Sequence, residues 1–197
     1  MTKSEKILEM ANNNNGYVSA KEVRSANINS TELTRLVKEN KLERVSRGLY
    51  CTPDSFYDDY YKIQSKSKNC VFSHATALYF YDLSDRTPVQ LDLTVPVGYN
   101  GSLIYMQNVD LHYIKREFLE LGLTTIQSPF GMNIKIYDVE RTICDIIKNK
   151  KKMDIEIFTK ALQKYSKAKT KDLNKLMRYA KKLNVEKKVR EYMEVLI

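Results

Sequence analysis

The sequence has few cysteines, no long apolar run and no glycine-rich phosphate loop, and each absence excludes a class of protein. Cys51, Cys70 and Cys144 are widely spaced and form no CxxC or Cys/His cluster, which excludes a disulfide framework and a zinc site. Buried, reduced thiols are expected instead. No segment approaches the roughly 18 apolar residues of a membrane span, and the N-terminal residues lack the apolar core of a signal peptide. The sequence therefore predicts a cytoplasmic protein with no membrane partner.

Positive charge is abundant but unevenly distributed. The 197 residues carry a net charge of +9, with 43% hydrophobic and 29% charged residues. Residues 148–197 hold 16 Lys/Arg against 6 Asp/Glu, whereas residues 55–147 hold 8 against 11. A net positive charge affects solubility and non-specific binding. It favours a polyanionic partner but does not identify that partner.

Residues 1–54 predict three short helices followed by a β-hairpin. Apolar residues recur at helical spacing between Ser4 and Asn12. Ser19 with Glu22 forms a capping-box pattern for a second helix, and Ser30 is the expected N-cap of a third. Apolar and polar residues then alternate over 42–51 around Gly48, which indicates two short strands and a tight turn. This order is that of a winged helix-turn-helix domain.

Residues 55–197 predict a second, mixed α/β domain. We expect residues 55–70 to be a connector and residue 73 to cap a helix. Strands are expected over 89–97, ending at Pro96, and over 101–106, 110–116 and 132–138. A helix capped by Asp138 and two or three basic amphipathic helices follow. The fold class is therefore α+β, with a winged helix-turn-helix at 1–54 and an α/β domain at 55–197 that ends in basic helices.

Polar side chains of the third helix and the hairpin are the expected DNA contacts. In helix-turn-helix proteins the second helix of the motif enters the major groove, where Arg and Thr can bond base edges. The hairpin places basic residues beside its glycine turn, and the preceding helix can hold phosphates and so set the register. The DNA-binding residues expected are Ser19, Lys21, Arg24, Thr31, Thr34, Arg35, Lys38, Arg44 and Arg47. A solvated charged face is the alternative interpretation.

No catalytic, cofactor or metal site is predicted. His74 and His112 have no ligand or catalytic partner at a recognisable spacing, so His74 is interpreted as structural. Asp92, Glu140 and Asp145 could serve as acidic metal ligands of a nuclease. However, the strand over 132–138 carries Lys135 without the acid that nucleases place beside it. The spacing of Arg141 and Asp145 suits a simple helical ion pair.

The lysines of the C-terminal third form a further candidate surface. Clusters occur at 148–152 and 181–188. The lysines of this candidate surface are Lys150, Lys151, Lys181 and Lys182, and the alternative is again a solvated face. Such a surface would attract nucleic acid without base specificity.

Four segments resemble one known family along nearly the whole chain. They are RVSRGLYCTPD at 44–54, SHATALYFYDLSDRTP at 73–88, DLTVP at 92–96 and YDVERTICDII at 137–147. These segments resemble the AbiEi family of type IV antitoxins, found in bacterial abortive-infection systems against phage. The resemblance implies a DNA-binding repressor of its own operon, acting on double-stranded promoter DNA with inverted repeats. It also implies an antitoxin that counters a co-encoded nucleotidyltransferase toxin without a stable complex.

Two other functions remain open at this point. The protein could be a nuclease that the N-terminal domain delivers to DNA, or a winged-helix module that binds proteins. No strand carries the adjacent acid and lysine that are typical of nucleases, which disfavours the nuclease. Residues 1–54 have a net charge of only +2, which is compatible with a module that binds proteins.

Overall fold

The computed structural model describes residues 1–196, which form two compact units. Unit 1 comprises Met1–Lys66 and Gln127–Ile134, and unit 2 comprises Ser67–Ile126 and the chain from Lys135 onward. Both contain helices and a β-sheet, which confirms the mixed α and β composition. Unit 1 extends beyond residue 54, where the sequence suggested a division.

Unit 1 contains four helices and a three-stranded antiparallel sheet. The order is α1 (Lys3–Asn12), β1 (Tyr17–Ser19), α2 (Ala20–Ser25), α3 (Thr31–Lys38), β2 (Glu43–Ser46), β3 (Leu49–Cys51) and α4 (Asp59–Ser65). In the sheet, β3 lies between β1 and β2. The three predicted helices and the hairpin are confirmed, whereas β1 was not expected because three residues are too few to show alternation.

Polar side chains at the helix starts explain where the helices of unit 1 begin. Ser19 and Glu22 form the predicted capping box at α2. Ser30 occupies the N-cap position of α3 as predicted, but its side chain makes no capping hydrogen bond, and its backbone is helical, with a φ of −62° and a ψ of −14°. The preceding Asn29 accepts a hydrogen bond from the Thr31 amide through Oδ1 at 3.0 Å.

The expected connector over 55–70 is also wrong, because α4 occupies much of it. Asp58 caps this helix by accepting a hydrogen bond from the Tyr61 amide at 3.0 Å, and its side chain is fully buried. Ser128 donates to the same carboxylate. A helix of seven residues with one aliphatic residue, Ile63, carries little apolar periodicity, which is why the sequence did not reveal it.

Unit 2 is built around a five-stranded mixed sheet with the order β6-β5-β4-β8-β7. Its strands are β4 (Val71–Phe72), β5 (Leu91–Pro96), β6 (Val109–Ile114), β7 (Leu123–Gln127) and β8 (Asn133–Tyr137). Its helices are α5 (His74–Phe80), α6 (Val139–Lys148), α7 (Ile155–Lys167), α8 (Leu173–Lys182) and α9 (Glu186–Leu196). Residues 127–134 are part of unit 1, and they comprise the last residue of β7, the connection to β8 and the first two residues of β8.

The strand predicted over 101–106 is wrong, because Ser102–Tyr105 form a short 3-10 helix. The strands at 91–96, 109–114 and 133–137 are confirmed, including the end of β5 at Pro96. The short strand β4 and the exposed strand β7 were missed. Three C-terminal helices are present as expected, and Asp138 caps α6 by accepting from the Arg141 amide at 2.9 Å.

A large buried cluster of unit 2 is formed mainly by side chains from α6 and the three C-terminal helices, together with Leu78 of α5 and Ile114 of β6. Buried residues of this cluster include Ile143, Ile146, Phe158, Leu162 and Leu176. All three cysteines are buried as thiols, as predicted. Burial raises the pKa of Cys70 and of Cys144 to about 12, so these thiols are unreactive near neutral pH. Within residues 1–196, no helix combines the length and apolar character needed to cross a membrane.

Candidate nucleic-acid interface

The helix α3 presents a polar face to solvent because its apolar residues fall on the other side. Leu33 and Leu36 are completely buried in the core of unit 1. The four residues predicted as contacts on this helix are exposed: Thr31, Thr34, Arg35 and Lys38. The turn between α2 and α3 passes through Asn27 with a φ of 58°, and buried Ile28 anchors it. The structure therefore gives α3 an exposed face of hydroxyl and cationic groups.

Arg35 differs from the other three because it is bonded within the protein. Its Nη2 donates to Ser4 Oγ on α1 at 2.7 Å. Its Nε lies 3.1 Å from Glu39 Oε1, and its Nη1 lies 3.6 Å from Glu32 Oε2. Lys41 and Arg35 lower the pKa of Glu39, with the Lys41 hydrogen bond the larger cause. The guanidinium is thus held against Glu32 of its own helix and Glu39, the residue that follows the helix.

The β2–β3 hairpin exposes the two predicted arginines, Arg44 and Arg47. Gly48 completes the turn with a φ of +79°, a conformation that side chains rarely adopt. Its carbonyl accepts a hydrogen bond from the Ala20 amide at 2.8 Å. The turn is therefore fixed to the first residue of α2, and a register shift between Arg44 and Ser46 bends the hairpin.

The start of α2 supplies the remaining predicted contacts. Lys21 and Arg24 are exposed. Ser19 is partly buried, and its Oγ donates to Glu22 Oε2 at 2.7 Å while it accepts from the Glu22 amide at 3.1 Å. The Ser19 hydroxyl is consequently occupied by the capping box.

The four lysines predicted as an antitoxicity surface are all exposed but differ in their surroundings. Lys150 Nζ lies 5.4 Å from the centre of the Phe158 ring and 5.3 Å from that of Tyr192. Lys151 follows in the same 3-10 helix. Lys181 and Lys182 end α8, and Lys181 lines a cleft with Glu186 and other charged residues of the α8–α9 connection.

Unit 2 brings together two histidines that lie far apart in the sequence. The rings of His74 and His112 stack with centroids 3.5 Å apart and planes inclined by 18°. His112 Nε2 lies 2.7 Å from Asp92 Oδ1, and the side chain of Asn149 bonds His74 Nε2 at 2.7 Å. Burial, followed by nearby cations, lowers the pKa of His74 well below its ordinary value. Candidate metal-ligand atoms of His74, Asp92 and His112 lie within 4.8 Å of one another.

A polar cavity of about 260 Å³ adjoins these rings. We call it the histidine–arginine pocket, and its relevant lining residues are His74, His112, Arg141, Asp145, Lys148 and Lys152. Sequence reasoning missed it because its members come from α5, β6, α6 and the residues after α6, and no local spacing connects them.

The acids considered as nuclease ligands have other partners in unit 2. Asp145 Oδ2 accepts from Arg141 Nε at 3.0 Å, as predicted for this pair. Glu140 accepts from the Asp172 amide at 3.1 Å and lies 3.3 Å from Lys175 Nζ. Burial raises the pKa of Asp145, and Arg141 opposes that rise. These contacts account for both carboxylates as structural ion-pair partners.

Comparisons with known proteins show that the chain is similar to a protein family over part of its length and to a solved structure in its fold. Residues 5–53 match the model of a family described as a transcriptional regulator, AbiEi antitoxin, which confirms the resemblance over this segment. The crystal structure of the RV2827C protein from Mycobacterium tuberculosis has a TM-score of 0.61 and 10% identity, over 98% of this chain and 77% of that chain. At that identity the likeness concerns the fold alone. No curated protein matches the sequence.

Proposed function

We propose that the protein is a DNA-binding transcriptional regulator and antitoxin of the AbiEi type. Residues 1–54 would act as a winged helix-turn-helix, with α2 and α3 as the motif and β2–β3 as the wing. The observation that carries the proposal is the exposed face of α3 next in sequence to a basic hairpin. Both features lie within the residues that match the family of AbiEi regulators.

In the proposed complex α3 enters the major groove of the promoter DNA. Thr31, Thr34 and Lys38 are exposed, and we assign them to base edges. Arg47 and Arg44 on the wing would contact the backbone or a minor groove. Lys21 and Arg24 would hold phosphates beside the capped start of α2.

Two of the sequence-based contacts receive a different role in this proposal. Ser19 caps α2 through its hydroxyl, and its contribution is to place the helix rather than to bond DNA directly. Arg35 is bonded to Ser4 and to two glutamates, so a base contact by Arg35 requires those bonds to break. We therefore assign Arg35 chiefly to positioning α3.

The proposed operator, toxin partner and role in phage resistance follow from the resemblance to the AbiEi family. The protein would repress its own operon at inverted repeats and confer phage resistance as part of a type IV toxin–antitoxin pair. The chain from residue 55 onward would neutralise a co-encoded nucleotidyltransferase toxin without a stable complex. Lys150, Lys151, Lys181 and Lys182 would form the surface for that action, because closely spaced like charges are relieved by a polyanion.

Titration of the full chain with DNA from upstream of its gene tests the regulatory function. We expect saturable binding, and we expect the double variant Lys38→Ala/Arg47→Ala to bind about tenfold or more weakly, since each lost contact costs about 1–3 kcal/mol. The matched control is Lys6→Ala/Lys66→Ala, which removes two exposed cations of unit 1 outside the proposed interface. No binding to this DNA by the wild-type chain would favour the protein-interaction module.

Toxin protection in cells tests the antitoxin function. The variant Lys151→Glu/Lys181→Glu/Lys182→Glu omits Lys150, because that side chain packs over two aromatic rings. We expect it to lose protection while Lys115→Glu/Lys167→Glu/Lys169→Glu, with the same change of charge, retains it. Equal protection by both variants would leave these lysines as a solvated face.

A further inference from the structure

The histidine–arginine pocket has a positive lining that the proposed DNA contacts do not use. Among the described residues around it, Arg141, Lys148 and Lys152 are cationic, and Asp145 alone contributes a carboxylate. Asp145 is already bonded to Arg141 Nε at 3.0 Å. Lys148 and Lys152 are exposed at the surface, whereas Arg141 is completely buried. The pocket therefore has cationic groups both at depth and at its solvent side.

Arg141 is held rigidly but incompletely bonded. Its Nη1 donates to the carbonyls of Phe118 at 2.9 Å and Leu121 at 2.6 Å, and its guanidinium carbon lies 4.0 Å from the centre of the Tyr137 ring. Its Nη2 is buried and has no hydrogen-bond partner among the described residues. Buried polar groups are almost always paired. Arg141 lines the cavity, so an acceptor bound in the cavity would supply the partner that Nη2 lacks.

The geometry disfavours a metal ion as that occupant. The imidazole planes of His74 and His112 are nearly parallel and about 3.5 Å apart, so their in-plane lone pairs cannot point at one ion. The side chain of Asn149 already bonds His74 Nε2. A cation would also lie among Arg141, Lys148 and Lys152, whose charges repel it.

We propose that the histidine–arginine pocket binds the phosphate group of a small phosphorylated molecule. Arg141 Nη2 would donate to one phosphate oxygen, and Lys148 and Lys152 would neutralise the remaining charge, because guanidinium and ammonium groups bind phosphate through charge-assisted hydrogen bonds. A volume of about 260 Å³ accommodates a phosphate with a small substituent. A duplex backbone cannot reach a fully buried arginine, so the ligand is a small molecule.

The backbone at His74 is consistent with a binding site. His74 has a φ of 46°, which a side chain other than glycine adopts only at a cost, and it is buried beside the cavity. Conformations of this kind persist where the surrounding structure enforces them, and they cluster at ligand sites. The strained residue stacks on His112 and so fixes one wall of the pocket.

Isothermal titration calorimetry of the full chain tests the proposal with inorganic phosphate, pyrophosphate and adenosine 5′-monophosphate at constant ionic strength. The informative variant is Lys148→Ala/Lys152→Ala, and the matched control is Lys167→Ala/Lys169→Ala, which removes the same charge from exposed positions outside the pocket. We expect at least one probe to saturate the wild type, with about tenfold or weaker binding by the first variant and little change in the control. The probe that binds best identifies how much of the molecule beyond the phosphate is recognised.

Three results would overturn the phosphate site. Equal weakening in both variants would indicate diffuse attraction by surface charge. Absence of saturable binding by every probe at millimolar concentration would leave the pocket without a phosphate ligand. Saturable Zn²⁺ binding in the absence of phosphate binding would assign the histidines to a metal. Imidazole NMR signals of His74 and His112 provide a second measurement, and they should shift with the bound probe but not with added potassium chloride.

Discussion

Arg35 Nη2 donates a hydrogen bond to Ser4 Oγ at 2.7 Å and so connects the exposed face of α3 to α1. Ser4 is only 8% exposed, and its hydroxyl in turn donates to Glu32 Oε2 at 3.0 Å. A side chain that the sequence predicts to contact bases is therefore also part of the packing between two helices. This relationship distinguishes Arg35, which positions α3, from Arg44 and Arg47, which are exposed on the hairpin.

We expect Arg35→Ala to lower the free energy of unfolding by about 1 kcal/mol, because it removes the hydrogen bond from a charged guanidinium to the nearly buried Ser4 hydroxyl. The value is modest because the Arg35 side chain is about half exposed to solvent. Arg47→Ala should change it by less than about 0.5 kcal/mol, since Arg47 is exposed on the turn. Urea denaturation followed by circular dichroism measures both values. Equal stability of the two variants would show that the Ser4 bond does not hold α3 in solution.

Salt dependence separates backbone contacts from base contacts. Arg44→Ala and Arg47→Ala should each reduce the slope of log Kobs against log salt concentration by about one, because each would release one fewer counterion. Thr34→Ala should weaken operator binding with an unchanged slope, since its hydroxyl carries no charge. Fluorescence anisotropy over about 50–200 mM salt provides the slopes. An unchanged slope for both arginine variants would place the wing away from the DNA.

The buried His74 makes stability depend on pH. Burial first, and then His112, Arg141 and Lys148, lower its pKa well below 6.5, so the folded protein keeps His74 neutral while the unfolded chain takes up a proton near that pH. The unfolded state then binds more protons, and stability falls as the pH drops below 6.5 by at most about 1.4 kcal/mol per unit.

Comparison of the wild type with His74→Gln isolates this effect. Between about pH 7 and about pH 5.5, the wild type should lose about 1 kcal/mol more of its unfolding free energy than the variant. His112, Arg141 and Lys148 are present in both proteins, so the comparison isolates the residue at position 74. Parallel pH curves in urea denaturation would mean that His74 has the same pKa in both states.

Asp58 stabilises unit 1 through a cluster of buried hydrogen bonds. Its carboxylate caps α4 and accepts from Ser128, and its amide donates to Tyr17 Oη at 2.9 Å. Asp58→Ala should cost about 2–4 kcal/mol, because it removes a helix cap and leaves the Ser128 hydroxyl without its acceptor. The control Asp59→Ala alters a side chain that is 68% exposed and should change stability by less than about 0.5 kcal/mol. Equal unfolding midpoints would refute this role.

Local patterns of the sequence predicted most of the elements near the proposed DNA-binding surface. The Ser19–Glu22 capping box, the apolar spacing of Leu33 and Leu36 and the turn at Gly48 act over four residues or fewer. Such interactions depend on neighbours in the chain, so they can be recognised without knowing the fold. The same reasoning placed the polar face of α3 and the basic hairpin, while their use in binding DNA stays a prediction.

Only the tertiary structure decided which distant residues meet. It paired Arg35 with Ser4, assigned the residues 127–134 to unit 1 and stacked His74 on His112. It also placed a cavity beside Arg141, which the sequence indicated only as half of an ion pair with Asp145. These relationships depend on sheet order and helix packing, which are set by the burial of many side chains at once, and no short stretch of sequence encodes them.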